Sequence, residues 1–404
     1  MFAMMFDVLI IGGGQAGSMT AINLRKQKYE GSIAIITEER HHPYQRPPLS
    51  KGFLSGHIKQ ESLFIKSERY YEKNNIKVFL KSRAVGIEAK KQKVILERGE
   101  EIKYKKLIIA TGSKLNKITP EEDEKIVYLN SIANAVNLKK RLEEHKSIGI
   151  VGAGYIGLEV AATAKKMDLK TTVFETEKRI MQRSASDEIA NFIKNYHEKM
   201  GVEFKLGSRV QKISTENKTR IILDDGQVSD PDFVVIGVGV HAACDIAQEA
   251  GIDCNNGILV DETCLTSEEN IYAAGDCVSY YFSRYGSRQR LESVQNAIDQ
   301  ATIVSAAIMG EPTAYKSIPW FWSDQYDLKI QIAGLSQDSD FLVTRGNKND
   351  CKFSVCHFKN NRLRAVECVN DQKTFMLGKK LIETESKITP EAIENIQTNL
   401  RDWT

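Results

Sequence analysis

Two glycine-rich turns of the form GxGxxG are the residues whose types and spacing most directly suggest chemistry. They span Gly12–Gly17 and Gly152–Gly157, and each follows a short apolar run and precedes a helical pattern. In this setting the first glycine permits a tight turn, the second lets the backbone approach a pyrophosphate, and the third allows close packing of helix on strand. The N–H groups that begin the helix then face the anion. We therefore expect two dinucleotide sites, built on Gly12, Gly14 and Gly17 and on Gly152, Gly154 and Gly157.

A carboxylate follows each turn at a distance typical of a ribose ligand. Glu38 lies 26 residues after Gly12, and Glu175 lies 23 residues after Gly152, each at the end of a second strand-like run. A carboxylate at that place accepts hydrogen bonds from a ribose diol. One GxGxxG turn arises easily by chance, whereas two turns that each have a strand, a helix and a delayed acid indicate function.

The carboxylate of Glu175 also predicts which nicotinamide nucleotide binds at the second turn. It repels the 2′-phosphate of NADP and accepts hydrogen bonds from the bare hydroxyl of NAD, so NADH is favoured over NADPH. Arg179 and Arg183 follow closely. Three interpretations stay open for these arginines: binding of an NADP phosphate, binding of the NADH pyrophosphate, and ordinary solvated surface.

Two further strand-like runs end in residues that suit a close approach to a cofactor. One ends at Ala110, Thr111 and Gly112, and the other, Asn270–Asp276, ends in a carboxylate that could bind a polyol hydroxyl. Taken by itself, each is only the end of a strand.

The chain is long enough to bury several cores around these turns. Its 404 residues are 42% hydrophobic and 27% charged, which allows roughly two to four domains and excludes overall disorder. The net charge of +3 gives no general reason to expect nucleic acid as a partner. Residues 59–117 carry 16 Lys and Arg against 7 Asp and Glu, which predicts a basic face whose role the sequence does not reveal.

Two absences narrow the chemistry further. No apolar run reaches the roughly 18 residues of a membrane helix, and the first residues contain no basic region, so we expect a cytoplasmic protein. The 7 cysteines begin only at Cys244 and form neither a disulfide framework nor a metal-binding pattern, so no metal site is predicted.

Together the two turns, the strand ends and three longer motifs resemble the two-dinucleotide-domain flavoprotein disulfide reductase superfamily. Within it, the chain is similar to the oxygenase-coupled NADH-ferredoxin reductases, the putidaredoxin reductase-like family. The motifs that carry this narrower resemblance are Pro43–Lys51, Arg290–Ala297 and Pro319–Gln325.

The resemblance implies an α/β protein with two Rossmann-like domains and a C-terminal α+β domain. The FAD domain would be discontinuous, over residues 1–114 and 242–315. The NAD domain would be inserted at 115–241, and the C-terminal domain would occupy 316–404. Short strand-like runs after Pro319, separated by Gly, Asn and Asp, agree with an antiparallel layer there.

The resemblance also assigns residues to the two cofactors and to the transfer step. Lys51 would lie beside the flavin and pair with Glu159, and Trp322 would lie on the side where electrons leave. The simpler alternatives are a solvated loop lysine, a carboxylate that compensates a helix dipole, and a tryptophan that anchors the last domain. Further FAD contacts are implied for Ala16, Glu38, Arg46, Ala84, Ala110, Thr111, Gly112, Asp276 and Val294, and further NADH contacts for Tyr155, Ile156, Glu175, Arg183 and Gly239.

FAD and NADH in one chain suit the conversion of a hydride into single electrons, because a flavin accepts two electrons and releases them one at a time. No cysteine precedes Cys244, so the disulfide and peroxide chemistry of the superfamily lacks its thiol. The expected acceptor is a [2Fe-2S] ferredoxin that docks over the flavin edge and supplies a cytochrome P450 or ring-hydroxylating oxygenase. The basic residues that could dock it, or simply be solvated, are Arg284, Arg288, Arg290, Lys379 and Lys380.

Other acceptors, another class of function and the assembly state stay open. The acceptor could instead be rubredoxin or monodehydroascorbate, or the protein could be a redox-sensing interaction protein similar to apoptosis-inducing factor. A monomer or weak homodimer is expected, with neither nucleic acid nor a membrane as a partner.

Overall fold

The structure is a computed structural model that describes residues 4–119, 123–337 and 339–404. Its strands are β1 (Met4–Ile11), β2 (Ile33–Ile36), β3 (Ile76–Phe79), β4 (Ala84–Glu88), β5 (Lys93–Leu96), β6 (Glu101–Ile109), β7 (Ser113–Leu115), β8 (Ile126–Tyr128), β9 (Ser147–Val151), β10 (Lys170–Glu175), β11 (Val202–Leu206), β12 (Val210–Ser214), β13 (Arg220–Leu223), β14 (Val228–Ser229), β15 (Phe233–Ile236), β16 (Val240–Ala242), β17 (Ile258–Leu259), β18 (Ile271–Ala273), β19 (Val278–Phe282), β20 (Ser287–Gln289), β21 (Trp320–Gln325), β22 (Leu328–Gly334), β23 (Phe341–Asn347), β24 (Lys352–Lys359) and β25 (Arg362–Val369). Its α-helices are α1 (Gln15–Lys26), α2 (Glu68–Lys73), α3 (Ile132–Glu144), α4 (Tyr155–Lys166), α5 (Asp187–Lys199), α6 (Asp245–Glu249), α7 (Val294–Ile308), α8 (Gln372–Glu383) and α9 (Pro390–Glu394). Short 3-10 helices cover Pro47–Ser50, Gln60–Leu63, Ala89–Lys91, Lys348–Asp350 and Leu400–Trp403.

The described residues form two compact units. The segment Arg46–Lys59 belongs to the second unit, although the chain on either side of it belongs to the first. The three-domain boundaries that the sequence suggests stay a prediction. The first unit lies within Met1–Gln45, Gln60–Lys114 and Val240–Ser317, and the second within Arg46–Lys59, Leu115–Gly239 and Ile318–Thr404.

The first unit is built on a seven-stranded sheet in the order β3-β2-β1-β6-β5-β4, with β18 paired to β6. Strands β1, β2, β3, β6 and β18 are parallel, whereas β4 and β5 pair antiparallel. The central strand is apolar on both sides because each face has its own core: Val8 and Ile10 lie in one, Leu9 and Ile11 in the other. A smaller sheet of this unit is β17-β19-β20.

The second unit contains a five-stranded parallel sheet in the order β11-β10-β9-β15-β8. Strand β9, the second glycine turn and α4 form the predicted strand, turn and helix. A small antiparallel sheet, β12-β13-β14, packs on this arrangement, because Ile221 of β13 shares a core with Val151 and Phe174.

The second unit also contains an antiparallel sheet in the order β21-β22-β25-β24-β23. Helix α8 packs on this layer, with Phe375 in the same core as Val366 of β25. Helix α5 contacts it as well, because the ring of Phe192 lies 4.8 Å from that of Phe353. The predicted fold class, an α/β protein with two dinucleotide-binding folds and an α+β C-terminal part, is confirmed.

Gly334, the last residue of β22, provides a test of how tightly the antiparallel layer is packed. It has a φ of +84°, and a Cβ there would lie 2.1 Å from the carbonyl oxygen of Arg364. Gly226 has the same φ of +84° but nothing within 4 Å, so Gly226→Ala is the matched control. We expect Gly226→Ala to lower the free energy of unfolding by about 1–2 kcal/mol and Gly334→Ala to lower it by at least about 3 kcal/mol. Denaturant unfolding followed by tryptophan fluorescence measures both, and equal losses would contradict the packing described.

Candidate functional site

The first glycine turn has the steric form that the sequence predicts. A Cβ on Gly12, which has a φ of +116°, would lie 2.0 Å from the carbonyl oxygen of Ala110. A Cβ on Gly17 would lie 2.1 Å from the carbonyl oxygen of Gly12. Both positions are therefore closed by the backbone of the protein itself. A Cβ on Gly14 would meet nothing within 4 Å, so the middle glycine faces open space at the start of α1.

The second turn repeats this form. A Cβ on Gly152, with a φ of +104°, would lie 2.3 Å from the carbonyl oxygen of Gly237, and one on Gly157 would lie 2.2 Å from that of Gly152. Nothing lies within 4 Å of a Cβ on Gly154, and α4 begins at the next residue, Tyr155. An open glycine position beside the free N–H groups of a helix fits a pyrophosphate. Both turns, called the first and second cradle below, therefore fit the dinucleotides predicted for them.

The ends of β6 and β18 lie close to the first cradle within the first unit. A Cβ on Gly275 would lie 3.0 Å from the Cβ of Ala16, and the amide of Ala110 donates to the carbonyl of Ile11 at 2.8 Å. The hydroxyl of Thr111 donates to a backbone carbonyl at 2.6 Å. Two residues predicted to contact FAD, Ala16 and Ala110, thus lie at the first cradle together with Gly275, the residue before the predicted Asp276.

Helix α7 adds a helix N-terminus to this unit. Its first residue is Val294. The hydroxyl oxygen of Ser293 caps the helix by accepting a hydrogen bond from the backbone amide of Asn296 at 3.1 Å. Among the described residues, Oδ1 of Asn296 is a buried oxygen that has no hydrogen-bond partner. A ligand that donates a hydrogen bond would stabilise such an acceptor, so this oxygen also fits a unit that holds a polar cofactor.

The remaining predicted FAD residues of the first unit are less enclosed. Glu38 is exposed, and its carboxylate lies 3.9 Å from the guanidinium of Arg83, the residue before Ala84. Asp276 is half-buried and accepts from the hydroxyl of Ser113 at 3.5 Å.

The carboxylate of Glu175 is held at the second cradle by two backbone amides. Its Oε2 accepts from the amide of Ala153 at 2.7 Å, and its Oε1 accepts from the amide of Glu177 at 3.0 Å. Each carboxylate oxygen has a second lone pair, so the group keeps the capacity to accept a ribose hydroxyl.

The structure separates the two arginines that follow Glu175. The guanidinium of Arg179 donates to the carbonyl of Ala185 at 2.8 Å and pairs with Asp187 at 3.0 Å. Both contacts stabilise the loop between Arg179 and the start of α5. A guanidinium nitrogen of Arg183 lies 3.3 Å from the place of a Cβ on Gly239. Two predicted NADH residues, Arg183 and Gly239, are therefore neighbours.

Lys51 and Glu159 form an ion pair inside the second unit. The Lys51 Nζ lies 2.7 Å from Oε2 of Glu159, and the side chains are 17% and 4% exposed. The hydroxyl of Ser50 donates to the same oxygen at 2.5 Å, and that of Ser323 donates to the other oxygen at 2.5 Å. A cation and two hydroxyls thus compensate the burial of the carboxylate.

The segment that contains Lys51 is fixed within the second unit. The guanidinium of Arg46 donates to the backbone carbonyl of Asn130, and the 3-10 helix Pro47–Ser50 leads directly to Lys51. Arg46 and Lys51, both predicted to contact FAD, therefore belong to the unit of the second cradle.

Strand β21 meets α4 and α5 with every second residue. The ring of Phe321 lies 4.5 Å from that of Tyr155 on α4, and Ser323 donates to the buried carboxylate. Next along the strand, Oε1 of Gln325 lies 2.8 Å from Nε2 of His197 on α5.

Trp320 and Trp322 alternate with these residues. The two rings lie 5.7 Å apart and are half-buried, and Trp320 also packs against Phe375 of α8 at 5.6 Å. Ile156, predicted to contact NADH, is 46% exposed at the start of α4.

The basic residues predicted to dock a partner differ in their exposure. The side chain of Arg290 is 11% exposed and pairs with a neighbouring glutamate at 2.6 Å. Arg288 donates to a backbone carbonyl at 2.9 Å, and Arg284 is half-buried. Lys379 and Lys380 lie on α8, where the side chain of Lys380 is 52% exposed.

Other chemistries find little support in the described ranges. No group of three or more His, Cys, Asp or Glu side chains among those residues could hold a metal ion. None of the helices described is long and apolar enough to cross a membrane. Burial raises the pKa of the Cys277 thiol, and it raises that of Cys254 to about 12, so neither forms a thiolate readily.

Four residues of this site are absent from the predicted set: Ser50, His197, Ser323 and Gln325. Three of them lie inside motifs that carry the family resemblance, so their type and place were a usable signal. His197 lies in no motif, and only the packing of α5 on β21 reveals it.

The chain is similar to known proteins in sequence and in fold. The sequence model of the family described as pyridine nucleotide-disulphide oxidoreductase matches residues 6–301, and that described as Reductase C-terminal matches residues 320–404. Rhodocoxin reductase of Rhodococcus erythropolis is 37% identical over 98% of this chain and 93% of its own. The solved ferredoxin reductase for the CYP199A2 system of Rhodopseudomonas palustris has a TM-score of 0.94 and 36% identity over 98% of this chain and 99% of that one. Putidaredoxin reductase, in its covalent complex with putidaredoxin, has a TM-score of 0.95 and 31% identity over 98% and 97%.

The two open glycines allow each cradle to be tested against the other. Gly14 and Gly154 have φ near −80° and open space around a Cβ, so alanine fits either position in the protein alone. We expect Gly154→Ala to weaken NADH binding at least about 10-fold with unchanged FAD content, because the methyl group occupies the pyrophosphate approach. We expect Gly14→Ala to lower FAD content and to leave the thermal midpoint of the FAD-free protein unchanged.

Absorbance gives the FAD content, titration gives the Kd of NADH, and thermal unfolding serves as the control for folding. Equal loss of both cofactors in either variant would contradict the assignment of one nucleotide to each cradle.

Proposed function

Because the chain belongs to the pyridine nucleotide-disulphide oxidoreductase family, we propose that it is an NADH-dependent ferredoxin reductase. The resemblance drawn from the sequence motifs is confirmed by the two family matches and by relatives that cover nearly the whole chain. The protein is a flavoprotein oxidoreductase that uses FAD and a nicotinamide nucleotide. The observation that carries the proposal is the pair of cradles with the same steric form, one in each unit, together with a buried ion pair at Lys51 and Glu159.

FAD supplies the chemistry of accepting a hydride and releasing electrons one at a time. The first cradle would hold its pyrophosphate, and Asp276 would accept hydrogen bonds from its polyol chain. The second cradle would hold NADH in the same way, with Glu175 binding the adenosine ribose and Arg183 beside the nucleotide.

Lys51 and Glu159 supply fixed charges for the transfer. The ammonium of Lys51 would stabilise the negative charge that develops when a hydride arrives, which is most effective when the cation is already in place. Glu159 holds that ammonium, while Ser50 and Ser323 hold Glu159.

We propose a [2Fe-2S] ferredoxin as the acceptor, which then supplies a cytochrome P450 or ring-hydroxylating oxygenase. Support comes from two similar solved structures, putidaredoxin reductase in its complex with putidaredoxin and the ferredoxin reductase for the CYP199A2 system. Lys379 and Lys380 are the preferred docking residues. Arg290 is a weaker candidate because its side chain is only 11% exposed, whereas that of Lys380 is 52% exposed. A monomer or weak homodimer is part of the same proposal.

The acceptor is identified by a two-step mixing experiment. FAD-loaded protein is reduced with one equivalent of NADH without oxygen and is then mixed with [2Fe-2S] ferredoxin, rubredoxin or monodehydroascorbate. We expect the oxidised flavin absorbance to return fastest with ferredoxin. Faster return with rubredoxin or monodehydroascorbate would overturn the assignment. Slow return with every carrier, combined with NADH-dependent dimerisation, would favour a redox-sensing interaction protein.

Glu175→Gln and Glu175→Ser separate charge from hydrogen bonding at the second cradle. Glutamine keeps an acceptor oxygen at the same reach but removes the negative charge that repels a 2′-phosphate. Serine also removes the charge, and its hydroxyl stands on a shorter side chain that no longer reaches the ribose. We expect both variants to lower the KM for NADPH about 10-fold, and the serine variant alone to raise the KM for NADH about 10-fold. Steady-state rates with an artificial one-electron acceptor measure this. A preference for NADPH in the unmodified protein would make the NADH assignment wrong.

A further inference from the structure

A row of buried hydrogen bonds runs from the Glu159 carboxylate along β21 to α5. Ser323 donates to Oε1 of Glu159 at 2.5 Å, the amide nitrogen of Gln325 donates to Oγ of Ser323 at 3.1 Å, and Oε1 of Gln325 lies 2.8 Å from Nε2 of His197. Ser323, Gln325 and His197 are each 0% exposed. The row ends at Tyr326, whose hydroxyl lies 3.3 Å from Nδ1 of His197.

The chemistry of these groups allows one direction of donation. The carboxylate that pairs with Lys51 only accepts, so the Ser323 hydroxyl points its hydrogen at it. The serine oxygen then accepts from the amide nitrogen of Gln325, whose oxygen is left to face His197. Burial lowers the pKa of His197 to about 4, so the ring is neutral near pH 7, with a hydrogen on Nε2 and with Nδ1 as the acceptor for Tyr326.

We propose that Gln325 is a positioning residue for hydride transfer: through Ser323 it fixes the Glu159 carboxylate, and the carboxylate in turn holds Lys51. The proposal rests on the proposed function, since it requires Lys51 to act on the transfer. His197 completes the arrangement by fixing the orientation of the Gln325 amide.

The role of His197 follows from what a rotated amide would do. Without a donor at His197, the Gln325 amide is free to rotate by half a turn and present its oxygen to Ser323. The serine hydroxyl would then donate to Gln325, and Glu159 would lose one of its three donors. The carboxylate would be held only on the oxygen that contacts Ser50 and Lys51, and it would turn about that point.

A purely structural role, in which these hydrogen bonds only hold β21 against α5, explains the row less well. Apolar contacts fasten a strand to a helix at a lower desolvation cost than buried polar groups do. The same strand already has such a contact, because the ring of Phe321 packs on that of Tyr155 at 4.5 Å. The polar row adds a defined orientation at its end, where the ion pair lies.

Three variants separate positioning from fastening. Gln325→Leu keeps a similar volume and removes both hydrogen bonds, and His197→Leu removes the donor that orients the amide. His197→Gln keeps an N–H donor and is the matched control. In stopped-flow reduction with NADH, we expect both leucine variants to lower the limiting rate about 10-fold and to change the Kd of NADH less than about 2-fold. We expect His197→Gln to retain most of the limiting rate.

A limiting rate that is unchanged in folded Gln325→Leu, or an equal loss in His197→Gln and His197→Leu, would overturn the positioning role. Thermal unfolding shows which variants fold. If the leucine variants do not fold, the spectroscopic measurement below decides.

Nitrogen NMR of histidine-labelled, FAD-loaded protein without NADH gives a readout that needs no turnover. The His197→Gln variant identifies the signal of His197. We expect a neutral ring with its hydrogen on Nε2 between about pH 5 and 8. A neutral ring with its hydrogen on Nδ1 would overturn the proposal, because Nε2 would then accept from the Gln325 side-chain amide and that amide would face the other way. If NADH fails to reduce the unmodified protein, the proposed function fails, whereas the NMR result still reports on the row itself.

Discussion

The arrangement of the second unit depends on the burial of one carboxylate. Glu159 lies on α4 with 4% of its side chain exposed, and removing an ionised carboxylate from water costs several kcal/mol unless charge and hydrogen bonds compensate. The compensation comes from two segments far from α4 in the sequence, Ser50–Lys51 and β21. This requirement gives a physical reason why Arg46–Lys59 belongs to the second unit although its neighbours along the chain do not.

The two cradles could be predicted from the sequence because each is local. Strand, turn and helix follow one another along the chain, and the alternation of small and apolar residues is a property of that segment alone. The contacts that exclude a Cβ at Gly12 and Gly152 come from Ala110 and Gly237, which directly follow strands of the same sheets. Even these contacts therefore follow from a parallel sheet of the predicted kind.

The row of buried hydrogen bonds from Glu159 to His197 could not be predicted from the sequence, because it depends on which strands and helices pack together. A period of two places Ser323 and Gln325 on one face of β21, but nothing in the sequence shows that this face meets α4 and α5. His197 on α5 has no motif around it. Exposure is equally hard to predict: Arg290 stands among charged residues in the sequence, yet its side chain is 11% exposed. Motifs thus predict the presence of a site more reliably than the contacts within it.

A double-mutant comparison of Lys51 and Glu159 tests most directly whether the two residues of the buried ion pair act together in hydride transfer. Lys51→Met, Glu159→Gln and the double variant are compared by the limiting rate of flavin reduction with NADH, after their FAD content has been matched. We predict that each single variant lowers the rate at least about 10-fold, because each removes the partner that positions the other. The double variant should then lose no more than the worse single variant. Losses that multiply in the double variant would contradict the pairing and would show that the two residues act independently.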